Sequence, residues 1–162
     1  MPFLLIGGHA INAYGISRQT GDIDLLVRRR QKHKWLELLT KLRYSVGQDD
    51  DRFSRFRPDT IVAWPIDLMY VDDETFDKLF AESQGSDLGI VIVRVPSARH
   101  LAILKIHALK HFQAHRNAKD YNDLIQLLGS KRAEISAEDL KALCERYADL
   151  NLFNRIIADI KE

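Results

Sequence analysis

The sequence predicts an α/β (α+β) fold with a helical region behind it, and three observations carry that reading. Strand and helix signals alternate through the first 96 residues of the 162. From Pro96 onward every signal is helical. Between them, residues 4–27 (LLIGGHAINAYGISRQTGDIDLLV) run from a buried-looking strand through two glycines to a second strand with two carboxylates. The expected organisation is a core over 1–96 and a helical region over 97–162, packed together as a single compact unit.

Leu4 to Ile6 reads as the first strand, and residues 9–14 as a short helix. Residues 22–27 form the next strand. Trp35, Leu38, Leu39 and Leu42 recur at helical spacing and predict a helix over 31–43. Residues 53–57 and 60–71 are strand-like, and Pro65 marks an edge or bulge in the second. Asp72-Asp73 caps a short helix through Phe80, and 89–95 (GIVIVRV) is a further strand. Ser97 caps a helix to about Phe112. Asn117 with Asp120 resembles a capping box opening a helix to Leu128, and Ser136 with Asp139 opens another over 137–148. Residues 150–160 close the chain as a helix.

Composition narrows the class. An apolar fraction of 46% supports a real core, and a net charge of +1 sets up no field demanding a nucleic acid or a membrane. One cysteine, Cys144, excludes a disulfide framework and suits a reducing compartment. The opening Met-Pro-Phe-Leu-Leu-Ile lacks a basic leader, and no run approaches the roughly 20 apolar residues of a spanning helix. A cytoplasmic protein without a membrane partner is expected.

The chemistry concentrates in Asp22-Ile23-Asp24. Side chains alternate along a strand, so the two carboxylates share a face with their Cα atoms about 7 Å apart. Ile23 and Leu25 take the apolar side. Two adjacent acids repel, and a divalent cation between them removes the penalty. Gly7-Gly8 sits at a strand-to-helix turn, where backbone N–H groups can meet a phosphate or where glycine simply fits a tight turn. Phosphate plus paired carboxylates suits a metal-bound nucleoside triphosphate, because Mg²⁺ takes one or two carboxylates and completes its shell with substrate phosphates. Asp67 interrupts the apolar run Ile66-Asp67-Leu68. It is either solvent-facing or the third acid of a two-metal site, whose ions lie roughly 3.5–4 Å apart.

Gly7-Gly8, the run Arg18-Gln19-Thr20-Gly21-Asp22-Ile23-Asp24 and the later Asp67 together resemble the nucleotidyltransferase superfamily, of polymerase-β-like fold. The likeness is closer to a small bacterial branch that includes abortive-infection toxin nucleotidyltransferases. That branch carries Arg-x-Thr-x-Asp-x-Asp and, in a later helical segment, a lysine and Lys-Asp-x-x-Asp, here Lys105, Arg116, Lys119, Asp120 and Asp123 within 101–128. The family usually has a helix ahead of its first strand; here the strand opens the chain, and a shortened N-terminus is the expectation.

The resemblance implies a nucleotidyltransferase-type mixed β-sheet with flanking helices. It implies transfer of a nucleoside monophosphate from a nucleoside triphosphate to a hydroxyl or phosphate of RNA, protein or a small molecule. Asp22, Asp24 and Asp67 would hold two Mg²⁺ ions, or Mn²⁺ in their place. Gly7, Gly8, Arg18, Thr20 and Lys105 would bind the triphosphate, with Arg116, Lys119, Asp120 and Asp123 as accessory positions. The alternative is a catalytically silent module that senses nucleotide or binds a protein, such as the antitoxin of a toxin–antitoxin pair.

Four further features have readings of their own. Lys105 falls on the apolar side of its helix beside Leu101, Ala108 and Phe112, so it must snorkel, pair with an acid or meet a ligand phosphate. Asp120 is a helix-start cap, a partner for Lys105 or Arg116, or a proton-transfer group. His100, His107 and His111 share a helix face without the glutamate of a His-Glu-x-x-His motif, and a solvated face is expected. The run Arg28-Arg29-Arg30 with Lys32 and Lys34 is a solvated helix start or a surface for a phosphate-rich acceptor. Cys144, among Leu140 and Leu143, reads as packing.

Overall fold

The computed structural model describes residues 1–89, 91–110, 114–130 and 132–161, and of 114–117 and 161 the backbone. The chain divides into two compact units, Met1–Pro96 and Ser97–Glu162. Among the described residues no helix is long and apolar enough to cross a membrane.

In the first unit, β1 (Leu4–Ile6) leads directly into α1 (Gly7–Ala13), and β2 (Ile23–Arg28) returns antiparallel to β1. After a 3-10 turn come α2 (Lys32–Lys41), β3 (Tyr44–Asp49), β4 (Phe53–Pro58) and β5 (Ile66–Val71). These strands form a mixed sheet ordered β1-β2-β5-β4-β3, with β2 and β5 parallel and the other pairs antiparallel. The mixture follows from connection length, because the β2-to-β5 connection is long enough for a parallel crossover. Then α3 (Asp73–Ala81) and a separate hairpin of β6 (Gln84–Asp87) and β7 (Ile92–Val95) complete the unit.

Apolar side chains explain the strands that the sequence predicts. Leu4, Leu5 and Ile6 are all buried, as are Leu25, Leu26 and Val27 in the middle of β2. In β4 the alternation is strict: Ser54 and Phe56 are wholly buried, and Arg55 lies on the other face.

Two predicted strands need correction, and two strands were not anticipated. Residues 60–65 are loop, not strand; β5 starts at Ile66, and the Pro65 carbonyl instead accepts from Ile23 N at 2.9 Å. The strand expected over 89–95 is shorter, because Gly89 at φ +85° turns the β6–β7 hairpin. β3 and β6 carry no apolar alternation (YSVGQD and QGSD) and are mostly exposed, so backbone pairing alone defines them. The β3–β4 register also shifts between Val46 and Gln48, a bulge at Gly47.

The basic run of 28–34 is largely neutralised inside this unit. Arg28 binds Asp73 at 3.1 Å and Asp77 at 2.5 Å, with its guanidinium over the Phe76 ring. Arg30 pairs with Asp73 at 2.8 Å and Lys32 with Asp49 at 2.9 Å. The predicted cap of α3 is present: the Asp72 carboxylate accepts from Thr75 N at 2.8 Å.

The second unit consists of α4 (Ala98–Leu109), α5 (Ala114–Gly129), α6 (Ala137–Tyr147) and α7 (Leu150–Lys161). Ser97 and Ser136 cap α4 and α6 as expected, each hydroxyl accepting a backbone N–H three residues on. Asp149 accepts from Leu152 N at the start of α7. The helix expected to open at Asn117 extends further, since α5 runs from Ala114 and contains Asn117, whose side chain lies outside the described residues. Leu101, Ile106, Leu124, Leu127 and Ile156 are wholly buried, and so is Cys144, whose thiol burial pushes up to about 11. The histidine face of α4 is not uniformly solvated. His100 is buried with Nδ1 3.1 Å from the Ser97 hydroxyl, His107 is exposed, and His111, like Phe112, lies outside the described residues.

Candidate active site

The strand register assembles the site. Across the sheet, Ile6 of β1 pairs with Asp24 of β2, Asp24 with Asp67 of β5, and Asp67 with Arg55 of β4. Cross-strand partners project to the same face, so this row brings Asp24, Asp67 and Arg55 together from three separate strands. Asp22 precedes β2, and the Ile23–Pro65 hydrogen bond fixes the chain there. One carboxylate oxygen from each of Asp22, Asp24 and Asp67 lies within 4.8 Å of the others. Asp22 and Asp24 are half-buried and Asp67 is only 2% exposed.

The residues before the acids position them. Asn12 in α1 holds both backbone groups of Arg18: its Nδ2 donates to Arg18 O at 2.9 Å and its Oδ1 accepts from Arg18 N at 2.8 Å. That pins the turn leading to β2. The Thr20 hydroxyl then donates to Asp22 Oδ1 at 2.9 Å and orients that carboxylate.

Both glycines are required by what packs on them. Gly7 has φ +65°, and a Cβ there would lie 1.9 Å from Asp24 Oδ2. A Cβ on Gly8 would lie 2.0 Å from Arg18 Nη1 and 2.7 Å from Thr20 Cβ. The missing side chains make room for Asp24 and for the arginine–threonine pair.

Arg55 is the neighbour that sequence reasoning missed. Its Nε donates to Asp67 Oδ1 at 2.9 Å and its Nη2 to Asp67 Oδ2 at 2.5 Å, a bidentate pair. Asp67 foremost, then the fields of Asp22 and Asp24, raise the guanidinium above its ordinary range against the opposing effect of burial. The alternation of 53–57 could have assigned Arg55 to one face of its strand. Its row partner depends on register, which that segment does not encode. A cavity of about 490 Å³ borders Asp22, lined also by Gly21, Arg55, Arg57, Pro58, Ala63 and Pro65.

His9 is a second neighbour not anticipated. Its ring stacks on Trp64 with centroids 5.0 Å apart, and its Nε2 is buried without a hydrogen-bond partner among the described residues. Burial lowers its pKa below the ordinary imidazole range, with Asp22 opposing.

The expected positions in the helical unit form a cluster of their own. Lys105 Nζ donates to Asp120 Oδ1 at 2.6 Å and to Asp123 Oδ2 at 2.7 Å. Of the three readings of Lys105 and of Asp120, acid pairing accounts for both. The ammonium needs no phosphate to explain its burial. Lys119 is exposed, and the Arg116 side chain lies outside the described residues.

No protein-family model matches the chain, and no curated protein matches its sequence. Solved structures do match its fold. ANT(2″)-Ia in complex with adenylyl-2″-tobramycin superposes with a TM-score of 0.64 at 17% identity, over 91% of this chain and 89% of that one. The lincosamide antibiotic adenylyltransferase LnuA, lincomycin-bound, gives 0.55 at 13% identity over 78% and 85%. An antigenic nucleotidyltransferase-like protein from Paracoccidioides brasiliensis gives 0.50 at 14% identity over 78% and 66%. At these identities the likeness is one of architecture, and it agrees with the mixed sheet and its row of acids: the chain has the nucleotidyltransferase fold.

Proposed function

We propose that the chain is a metal-dependent nucleotidyltransferase that moves a nucleoside monophosphate from a nucleoside triphosphate to a hydroxyl of a small-molecule acceptor. The observation that carries this reading is the convergence of three carboxylates within 4.8 Å on a sheet of nucleotidyltransferase fold. The donor set fits a hard divalent cation, since it offers carboxylate oxygen alone. Asp22, Asp24 and Asp67 would hold Mg²⁺, which neutralises charge on the phosphoryl oxygens when bound.

The chain's own residues do the positioning. Thr20 fixes the Asp22 carboxylate, and Gly7 lets Asp24 approach the first turn of α1. Gly8 seats Arg18, whose guanidinium meets the triphosphate. The acceptor oxygen attacks the α-phosphorus, the bond to the β-phosphate oxygen breaks, and pyrophosphate leaves against Arg18. The acceptor's proton passes to a carboxylate of the trio. Such catalysis is mostly orientation and charge neutralisation.

A small acceptor is favoured on two grounds. Arg28, Arg30 and Lys32, the best candidates for an RNA-binding surface, are occupied by internal ion pairs. The cavity beside Asp22 is within the roughly 300–1,000 Å³ range of small-molecule sites. ANT(2″)-Ia and LnuA, similar in fold, are described in complex with adenylyl-2″-tobramycin and with lincomycin bound, so hydroxyl-bearing antibiotics of both kinds are the first acceptors to try.

Thermal melts with Mg²⁺ and each nucleoside triphosphate test the reading. A shift for at least one nucleotide is expected, followed by transfer of labelled nucleotide to an acceptor in a panel of aminoglycosides and lincosamides. No stabilisation by any nucleotide in the presence of Mg²⁺ would overturn it.

A further inference from the structure

The register that assembles the acids also fixes what lies two residues further along each strand. Asp24, Asp67 and Arg55 form one row across β2, β5 and β4. Carried two residues on, to the same face, that register aligns Asp22, Pro65 and Arg57. The β4–β5 ladder stops one position short of this second row, at Phe56 and Ile66, and Pro65 puts no carboxylate between its neighbours. There the cavity opens, with Asp22, Pro65 and Arg57 all on its wall. Asp22 and Arg57 stand two strand spacings apart at the backbone, about 10 Å. Arg55 is on the same wall but is engaged by Asp67. The exposed Arg57 guanidinium has no acid partner among the described residues.

We propose that Arg57 selects the acceptor, and that the small molecule receiving the nucleotide carries an anionic group, a carboxylate or a phosphate. Arg57 binds that group while the reacting hydroxyl lies at the acids. This rests on the transferase reading above and names the class of its acceptor. In-line displacement puts the attacking oxygen and the leaving pyrophosphate on opposite sides of the phosphorus. Gly8, just past the end of β1, packs against Arg18, the cation assigned to the pyrophosphate. Arg57 belongs to β4, on the other side of the acids in the order β1-β2-β5-β4-β3. With pyrophosphate leaving toward Arg18, the acceptor approaches from the side of β4, where the cavity lies. A guanidinium offers paired N–H donors that match the oxygens of a carboxylate or phosphate. The same charge repels an acceptor that carries ammonium groups, so an aminoglycoside should rank below an acid of its size.

Gluconate, sorbitol phosphate, sorbitol and glucamine share one carbon chain and end in a carboxylate, a phosphate, a hydroxyl and an ammonium. Offered to the full chain with Mg²⁺ and labelled nucleoside triphosphate, at least one of the two acids should be labelled faster than sorbitol and glucamine. Which acid leads tells carboxylate from phosphate. Arg57→Met should raise KM for that acid about tenfold, with kcat and the KM for nucleotide changing by less than about twofold. Arg57→Lys, which restores the charge without the fork, should recover part of the loss. If none of the compounds is labelled, phenylglyoxal footprinting in the presence of Mg²⁺ and nucleotide reads the cavity without transfer. Arg57 should then be modified, and gluconate or sorbitol phosphate should protect it where sorbitol does not. No preference for either acid, an unchanged KM in folded Arg57→Met, or an Arg57 that neither acid protects overturns the proposal and leaves the transferase standing. A chain that no nucleotide stabilises and that labels nothing overturns the transferase reading itself, and the acceptor assignment falls with it.

Discussion

Each unit of this chain sets a cation against acids, and the two clusters have opposite outcomes. In the helical unit, Lys105 sits between Asp120 and Asp123, at 2.6 and 2.7 Å. All three side chains are largely buried, at 11%, 19% and 2% exposure. In the α/β unit, Arg55 pairs with Asp67, and Asp22 and Asp24 lie half-buried beside that pair. The helical cluster is closed around its cation. The sheet cluster brings three carboxylates together, with Asp22 on the wall of a cavity. Clustered carboxylates repel one another, and a fold keeps them where a ligand supplies an opposing charge.

That contrast can be broken from either side. The largest effect is expected at Asp24→Asn. Nucleotide transfer should fall on the order of a thousandfold, since the lost contact acts on charge developing in the transition state. Stability should change by less than about 0.5 kcal/mol or rise, because one of two repelling carboxylates is neutralised. Labelled-nucleotide assays and urea melts on the same preparation separate the two; a large loss of stability would make Asp24 a structural residue.

Lys105→Met should do the reverse. It leaves Asp120 and Asp123 without their ammonium, and unpairing a buried ion pair costs about 3–5 kcal/mol, less here because Asp120 is partly solvated. The urea midpoint should drop while Mn²⁺ affinity of the folded protein stays unchanged. A stable Lys105→Met protein with weakened nucleotide binding would instead place the lysine among the phosphate ligands.

Gly7→Ala tests how tightly the acid site is built into α1. The left-handed backbone and the approach to Asp24 Oδ2 predict a loss of about 1–3 kcal/mol, together with weaker Mn²⁺ binding as Asp24 is pushed aside. Loss of stability with intact metal affinity would show that Asp24 relaxes without penalty.

The smallest effect should come from Ser136→Ala. It removes the cap of α6 and should cost about 1 kcal/mol in melts, with no change in metal binding or transfer. A change in either function would couple the helical unit to the acid site more closely than its own ion cluster requires.

The sequence alone settled what is local. Apolar runs located β1, β2 and β5, because burying them is the main favourable term in folding. Ser97, Asp72 and Ser136 marked three helix starts, because a cap is made by residues three positions apart. Asp22-x-Asp24 shared a face through strand alternation, and with Gly7-Gly8 and Asp67 it pointed to the fold. Only the tertiary structure decided the rest. β3 and β6 escaped notice since edge strands are held by backbone hydrogen bonds that any polar sequence can make. Lys105 was ambiguous on its own helix and was resolved by carboxylates on the next one. The meeting of Asp24, Asp67 and Arg55 depends on the register of three strands, one of them paired parallel across a long crossover. Register is a property of strands in contact, so no single segment carries it.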